Sequence, residues 1–307
     1  MVIAAVAQHQ SPLALGNVIG SVISNILAAF SLGLLFQRGH VQFDRSSKIY
    51  VTLLLLLTPP VIMLGYFGKG GVIFGSILIV VFGLYLVSIG VAIFRGVLAA
   101  PDNDSDNDTN SDGASNGNSS TNNRSPAPVS LSGHSESTSN ENGVPIAEIT
   151  SASPPSKTPR RLRSHVFQLI FGFLALSLSG YILSHSATSI ASELNISGTV
   201  YGITILALAT TLPEKFIAVI GASRGHSGIV IANTAGSNIF LLTLCLGVVY
   251  VSGHEAGRIT PFELAVALAS VVAFVVIVFF GARRWMGVAL LVGYVVFFVL
   301  EFTVFRR

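Results

Sequence analysis

Eight continuous apolar segments, each of about 20 residues, constrain what this 307-residue chain can fold into. A helix of that length crosses the ~30 Å hydrocarbon core of a bilayer. In lipid, only helices and closed barrels satisfy their backbone hydrogen bonds, and barrel strands show short alternating segments instead. We therefore predict an all-α, polytopic membrane protein with about eight transmembrane helices. The predicted spans are Leu13–Phe36, Ile49–Phe67, Val72–Phe94, His165–His185, Thr199–Ala222, Ile229–Val251, Phe262–Gly281 and Met286–Phe302.

The segment between the third and fourth spans differs from the rest of the chain. Residues 100–158 are rich in Asp, Asn and Ser and nearly free of large apolar side chains. Such a composition cannot bury enough surface to fold, so we predict a disordered linker. The linker separates a first half, residues 1–99 with three helices, from a second half, residues 159–307 with five helices.

The distribution of Lys and Arg predicts the orientation in the membrane, because cytoplasmic loops carry an excess of these residues. With eight crossings, the side that holds both termini contains four Lys or Arg residues. The opposite side, which includes the linker, contains twelve. We therefore expect a cytoplasmic linker, with both termini outside the cell or in a lumen. The plasma membrane and an organelle membrane such as that of the vacuole both fit this pattern.

A motif near the N-terminus recurs in the second half at a constant spacing of 216 residues. SPLALGNVIGSVISNIL (residues 11–27) and SGIVIANTAGSNIFLLT (residues 227–243) share the ordered core N-x-x-G-S. The predicted topology makes the two segments cross the membrane in opposite directions. Inverted repeats are typical of secondary transporters, whose site lies near the midplane between the repeats. Chance similarity is the alternative, since Gly and Ser are common in membrane helices.

Glu214 is the one acidic residue that the sequence places well inside a predicted span. An uncompensated charge at mid-bilayer costs about 2.5–3.5 kcal/mol or more, so Glu214 should have a partner. On a helix the neighbouring Lys215 would point about 100° away, and no other basic residue has a comparable depth. We therefore favour a bound cation as the partner of Glu214. A packed kink with a protonated glutamate is the alternative.

The residues around Glu214 add further oxygen ligands. Pro213 has no N–H, so the carbonyl of Ala209 should lose its helical donor. Thr210 and Glu214 share a helix face, and Thr211 flanks it. Carboxylate, hydroxyl and carbonyl oxygens are the ligands that Ca²⁺ takes. The segment therefore predicts a cation site on a broken helix.

The first copy of the repeated motif should form the facing wall of this site. Its polar residues recur at helical spacing and form one stripe on an apolar helix. The stripe consists of Asn17, Ser21, Ser24 and Asn25. The repeated glycines, Gly20 and Gly236, should allow a neighbouring backbone to approach closely. Polar contacts between helices, without a ligand, are the alternative interpretation of the stripe.

These motifs resemble those of the cation/Ca²⁺ exchanger superfamily, and of its sodium/calcium exchanger type in particular. The repeats of that family read approximately G-T-S-L-P-E and then, after a spacer, G-N-x-x-G-S-N. ATTLPE (residues 209–214) and ANTAGSNIF (residues 232–240) match the second repeat, and GNVIGSVISN (residues 16–25) matches the latter part of the first. The resemblance implies two inverted-repeat halves joined by a large cytoplasmic loop, and an antiporter that exchanges Ca²⁺ for Na⁺ or H⁺ by alternating access.

The resemblance also implies which residues bind the transported cation. Glu214 would be the central ligand, with oxygens from both halves around it. The implied metal-binding residues are Glu214, Thr210, Thr211, the Ala207 carbonyl, Ser237, Ser21 and Asn25. The expected partners are inorganic cations and the lipid bilayer, with no nucleic acid and no bound cofactor. The sequence shows no acid–base or nucleophile pair, so we do not expect an enzyme.

Two departures from the family pattern bear on transport. The spacing of 216 places the counterpart of Glu214 two residues before Met1. We therefore expect that the first two spans of the family are missing and that Met1 is an internal methionine of a longer protein. Leu241 stands where the family has Asn or Asp. The alternatives to an antiporter are a degenerate, non-transporting exchanger-like membrane protein and a passive cation pore.

Overall fold

The computed structural model describes residues 1–37, 43, 45–66, 71–94, 160–253 and 259–304. All regular structure in these residues is helical, so the prediction of an all-α protein is confirmed. Nearly all of them belong to one compact unit, formed by Met1–Asp102 and Val166–Arg307. The predicted linker, residues 100–158, lies outside the described residues.

Thirteen α-helices and three short π segments make up the described fold. The α-helices are α1 (Val2–Ala7), α2 (Ser11–Ser24), α3 (Ser31–Phe36), α4 (Arg45–Tyr66), α5 (Val72–Phe94), α6 (Arg160–Glu193), α7 (Gly198–Tyr201), α8 (Ala207–Thr210), α9 (Leu212–Ser223), α10 (Ser227–Phe240), α11 (Leu246–Val251), α12 (Pro261–Phe280) and α13 (Arg284–Thr303). The π segments are Asn25–Phe30, Gly202–Leu206 and Leu241–Cys245.

These elements form a multi-pass membrane protein. In the described residues, seven continuous helical stretches are long and apolar enough to cross a bilayer. A bent pair, Gly198–Thr210 and Leu212–Ser223, makes an eighth, with an angle of 43° between its two parts. Each predicted span therefore coincides with one of these stretches. The largest difference is at the fourth span, where α6 has 34 residues and extends past both predicted ends.

The first repeat segment lies at the centre of the fold. In the apolar part of Ser11–Phe36, 89% is buried inside the protein, whereas in that of Val166–Glu193 the share is only 6%. Phe30 and Phe274 pack edge to face at its core, with ring centroids 4.6 Å apart. The outer helices instead expose long rows of large apolar side chains. Such surfaces are expected where helices face lipid.

Each copy of the repeated motif extends through a longer helical stretch, Ser11–Phe36 for the first copy and Ser227–Val251 for the second. The two copies, taken over these stretches, adopt the same succession of elements in opposite directions. The first copy has α, π and α segments of 14, 6 and 6 residues, and the second has 14, 5 and 6. Gly33, near the end of the first copy, lies against Val230, near the start of the second. Asn25 and Asn238, in the middle of each copy, are hydrogen-bonded to each other. The inverted repeat predicted from the sequence is therefore present.

Glycines allow close contact between α2 and the π segment at Gly202–Leu206. A Cβ atom added at Gly20 would overlap the backbone of Ile203, and one added at Gly202 would lie 2.6 Å from the Leu13 carbonyl oxygen. The prediction of a close approach at Gly20 is confirmed. The same prediction for Gly236 is wrong, because the nearest atom to an added Cβ there is the Tyr85 hydroxyl oxygen, 3.9 Å away.

We expect Gly20→Ala to destabilise the protein by about 1–3 kcal/mol, the usual cost of forcing extra atoms into a packed interior. Thermal unfolding in detergent micelles should show a lower midpoint for this variant. Gly236→Ala is the matched control, because its added methyl group has space, and its midpoint should stay close to that of the wild type. Equal midpoints for the two variants would contradict the contact described above.

Glu263 and Glu301 form a buried carboxyl pair where the start of α12 meets the end of α13. The exposed fractions of the two residues are 1% and 0%. Glu263 Oε2 accepts a hydrogen bond from the Thr260 N–H at 2.7 Å, and the Glu263 and Glu301 carboxyl groups are close enough to interact electrostatically. Glu301 receives no hydrogen bond from a donor in the described part of the chain. Two interacting buried carboxyl groups repel each other when both are charged, and a hydrogen bond between them requires a shared proton.

Glu301→Gln should preserve this contact, because the glutamine amide N–H donates to Glu263 without a shared proton. We expect its thermal unfolding midpoint in micelles to equal or exceed that of the wild type. Glu193→Gln, at the exposed end of α6, controls for the loss of one carboxylate. A midpoint several degrees below that of the control would contradict the shared-proton arrangement.

Candidate cation site

The predicted site surrounds the break in the fifth span. Thr211 separates α8 from α9 and has φ −98° and ψ 13°, outside the helical range. Pro213 lies at the beginning of α9, where its missing N–H costs no helical hydrogen bond. The carbonyls here that accept side-chain hydrogen bonds are those of Leu206, Ala207, Leu208 and Thr211. The Ala209 carbonyl was predicted to be freed, and this is wrong, because it accepts a backbone N–H at the C-terminal end of α8.

Thr210 brings oxygens from both repeat halves together. Its Oγ1 lies 3.0 Å from Asn17 Oδ1 and 2.9 Å from the Leu206 carbonyl oxygen. Ser21 Oγ is 3.5 Å away. A threonine hydroxyl has one proton, so it cannot donate to Asn17 and Leu206 at once. The cluster therefore contains more acceptors than Thr210 can satisfy.

Thr211 forms a second oxygen cluster beside the first. Thr211 Oγ1 donates to the Ala207 carbonyl oxygen at 2.7 Å. Because that bond uses its only proton, Ser24 donates in the 3.0 Å contact between the Ser24 and Thr211 hydroxyls. Ser24 is fully buried. Oxygens of α2 and of the broken helix are thus in direct contact at this position too.

Asn25 connects the two copies of the inverted repeat. Its Nδ2 donates to Ser237 Oγ at 3.2 Å and to Asn238 Oδ1 at 3.1 Å. Asn25 and Asn238 are buried, with exposed fractions of 1% and 0%. Ser237 Oγ donates in turn to the Asn233 carbonyl oxygen at 2.7 Å. The polar stripe, which continues from α2 into the following π segment, therefore reaches the second copy of the repeat as well as the broken helix.

Glu214 lies in the first turn of α9 and is half-buried. Its Oε2 atom is buried and has no hydrogen-bond partner among the described residues, and the same is true of Asn25 Oδ1. A buried acceptor without a donor loses its hydration without compensation. A cation is the ligand that such oxygens favour.

The side chain of Lys215 is part of the site, which the sequence did not predict. A helix does direct its Cβ away from Glu214, but the side chain is only 9% exposed and turns back towards Thr211 and Ser24. Its ammonium group donates to these hydroxyls, while Glu214 Oε2 stays without a donor. The long aliphatic part of a lysine allows its charge to lie a full helical turn away from its Cα.

The predicted ligands fall into neighbouring groups, and four further residues join them. Thr210 contacts Ser21, Thr211 contacts the Ala207 carbonyl, and Asn25 contacts Ser237. The residues absent from the predicted ligand set are Asn17, Ser24, Lys215 and Asn238. Asn17 and Ser24 belong to the polar stripe, so their spacing was a usable signal, and Asn238 directly follows the matched serine of the second repeat. Neither spacing nor a motif position pointed to Lys215.

The ligand set in the described part of the chain is neutral apart from Glu214 and Lys215. No three His, Cys, Asp or Glu side chains come together there, so hydroxyl, amide and carbonyl oxygens make up most of the site. Such a set suits hard cations, which prefer oxygen ligands.

Asn25→Ala should destabilise the protein, because it leaves the buried Asn238 Oδ1 without its donor. An unsatisfied buried acceptor costs about 1–3 kcal/mol. The unfolding midpoint of the variant in micelles should fall accordingly. Thr52→Ala, which removes an exposed hydroxyl bonded within its own helix, is the control. An Asn25→Ala midpoint no lower than that of the control would contradict the role of Asn25 as a link between the repeats.

A family model described as sodium/calcium exchanger protein matches residues 1–91 and 164–303 of this chain. The match therefore covers the described helices on both sides of the predicted linker, including both repeat segments and the broken helix.

Three curated relatives illustrate the range of similarity. The sodium/calcium exchanger MaX1 of Methanosarcina acetivorans is 29% identical over 147 residues, which are 45% of this chain and 40% of the relative. The putative antiporter CaxA of Alkalimonas amylolytica is 39% identical over 80 residues, 26% and 25% of the two chains. The human sodium/potassium/calcium exchanger 5 is 26% identical over 150 residues, 44% and 30% of the two chains. This chain thus spans at most 40% of the length of each.

Solved structures of the sodium-calcium exchanger NCX_Mj share the fold. With crystals soaked in Na⁺ and Ca²⁺, the TM-score is 0.58 at 20% identity, over 98% of this chain and 79% of that one. With crystals soaked in Na⁺ and Sr²⁺, the TM-score is 0.57 at 22% identity, over 95% and 77% of the two chains. At this level of identity the likeness establishes the arrangement of helices.

Proposed function

We propose that this chain, which belongs to the sodium/calcium exchanger family, is part of a membrane antiporter that exchanges Ca²⁺ for Na⁺ or H⁺ by alternating access. The family match over both halves and the shared helix arrangement support this proposal. The transported cations are the substrates, and the residues that we propose as ligands are the seven predicted from the sequence together with Asn17.

The observation that carries the proposal is that buried oxygen acceptors on the broken helix and on the first copy of the repeat lack a donor in the described residues. Glu214 Oε2 and Asn25 Oδ1 have no donor in the described residues, and Thr210 has more acceptors around it than protons to give. Packing alone would favour the opposite, since buried polar groups are normally paired. A cation bound among these oxygens would satisfy them together.

Antiport follows if Ca²⁺ and the counter-ion compete for the same oxygens. Because the acceptors come from two segments in opposite orientations, small movements of one half against the other would open the site to either side. Glu214 would supply the negative charge that both ions need, so only one kind could be held at a time. The binding free energy of the incoming ion would then offset the release of the outgoing ion.

A second candidate function is that of a non-transporting exchanger-like membrane protein. Lys215 adds a positive charge that interacts with Glu214, and Leu241 provides no side-chain oxygen at a position where the family has Asn or Asp. In the described residues the site therefore contains one carboxylate, whose charge balances half that of Ca²⁺. Flux measurements distinguish the two candidates.

Glu214→Gln should abolish counter-ion-dependent uptake of ⁴⁵Ca²⁺ into vesicles that contain the purified protein, because the amide removes the charge and keeps the shape. Uptake is measured with an outward Na⁺ gradient and, separately, with a proton gradient. Glu193→Gln, an exposed glutamate at the end of α6, is the control and should transport like the wild type. Unchanged uptake in Glu214→Gln would contradict the proposed site, and no uptake by the wild type with either gradient would favour the second candidate.

A further inference from the structure

The ammonium group of Lys215 lies in a cage of oxygen atoms inside the predicted membrane region. Lys215 Nζ is 2.6 Å from Thr211 Oγ1 and 3.0 Å from Ser24 Oγ. It is 3.3 Å from the Thr211 carbonyl oxygen and 3.5 Å from that of Leu208. These four oxygens come from α2, from α8 and from Thr211 at the helix break.

The chemistry of this cage is that of a monovalent cation site. Two hydroxyls and two carbonyls are neutral oxygen ligands. Such oxygens can contact a metal cation as well as an N–H donor. A lysine ammonium is a compact point charge that can replace a small inorganic cation in such surroundings. The difference is that the ammonium is covalently attached to α9 and cannot leave with the transported ions.

The charge balance of the site supports the same interpretation. A buried charge costs several kcal/mol unless an opposite charge compensates it. The carboxylate that interacts with Lys215 electrostatically is that of Glu214, although Oε2 of that group keeps no hydrogen-bond partner in the described residues. Lys215 thus cancels part of the negative charge that mobile cations would otherwise neutralise.

We propose that the Lys215 ammonium is a tethered cation that permanently occupies a monovalent-cation position next to Glu214. If the chain transports cations, the site takes up one mobile positive charge fewer than it would without the lysine. Only this transport consequence rests on the proposed function. The occupancy itself is a property of the folded chain and is tested without transport.

The first test measures thermal unfolding of the purified chain in micelles, in NaCl, KCl or choline chloride at equal ionic strength. Lys215→Met empties the cage, so the unfolding midpoint of this variant in choline chloride should lie below that of the wild type. Na⁺ or K⁺ should fill the vacated position and restore at least half of the lost midpoint. The wild type should show a smaller difference between the salts. Lys48→Met, a lysine on α4 beside Phe279, is the matched control and should gain no such dependence.

A second variant covers the case in which Lys215→Met folds poorly. Lys215→Gln keeps an N–H donor for Thr211 but carries no charge, so it should also gain stabilisation by Na⁺ or K⁺. Variants that lose the same stability in all three salts would overturn the proposal, because a vacated cation position should be refilled by the ion. Failure of both variants to fold in any of the salts would overturn it in the same way.

The transport measurement separates this inference from the proposed function. In vesicles, Lys215→Met should require one more monovalent cation per Ca²⁺ than the wild type, seen as a shift in the reversal potential. If the wild type exchanges ions and Lys215→Met has the same coupling ratio, the tethered-cation proposal is overturned and the proposed function is not. An inactive wild type would count against the proposed function, while the salt dependence of the unfolding midpoint would still decide the occupancy of the cage.

Discussion

Backbone contact between α2 and the broken helix is the constraint on which the site depends. Gly20 and Gly202 let the two segments meet without side chains between them. At that separation, Asn17 and Ser21 reach Thr210 across the interface. Lipid-exposed helices gain little from burying apolar surface against each other, so close packing and interhelical hydrogen bonds must hold them together. The contacts that hold the two segments together are therefore the same ones that build the oxygen cluster.

Much of the architecture could be predicted from the sequence because lipid imposes strong local signals. A bilayer requires long apolar runs, and each run in the described residues became a helical span. The inverted repeat was visible because both copies keep N-x-x-G-S at one spacing. The ends of α6 were not predictable, since hydropathy locates the apolar part of a helix and α6 continues into polar sequence at both ends. The motif did not predict packing reliably, because Gly20 contacts a neighbouring backbone and the equivalent Gly236 does not.

The site was predictable only where spacing alone decided which side chains meet. The stripe on α2 faces the break, as its helical spacing predicted, and Ser21 Oγ lies 3.5 Å from Thr210 Oγ1. Lys215 was absent from the predicted site because only its Cβ direction was considered, although a flexible chain of methylenes separates the Cβ from the charge. Glu263 and Glu301 meet through the packing of two helix ends, and no local pattern encodes such a pairing. Long side chains and contacts between distant helices are thus the main sources of error.

The π segments at Asn25–Phe30 and Leu241–Cys245 have a consequence for how the chain can vary in length. A π turn accommodates one residue more than an α turn. Removal of a single residue there would restore regular α geometry and rotate every following side chain by about 100°. In the first copy, Gly33 would then no longer face Val230. These stretches should tolerate a change of side chain far more readily than the gain or loss of one amino acid.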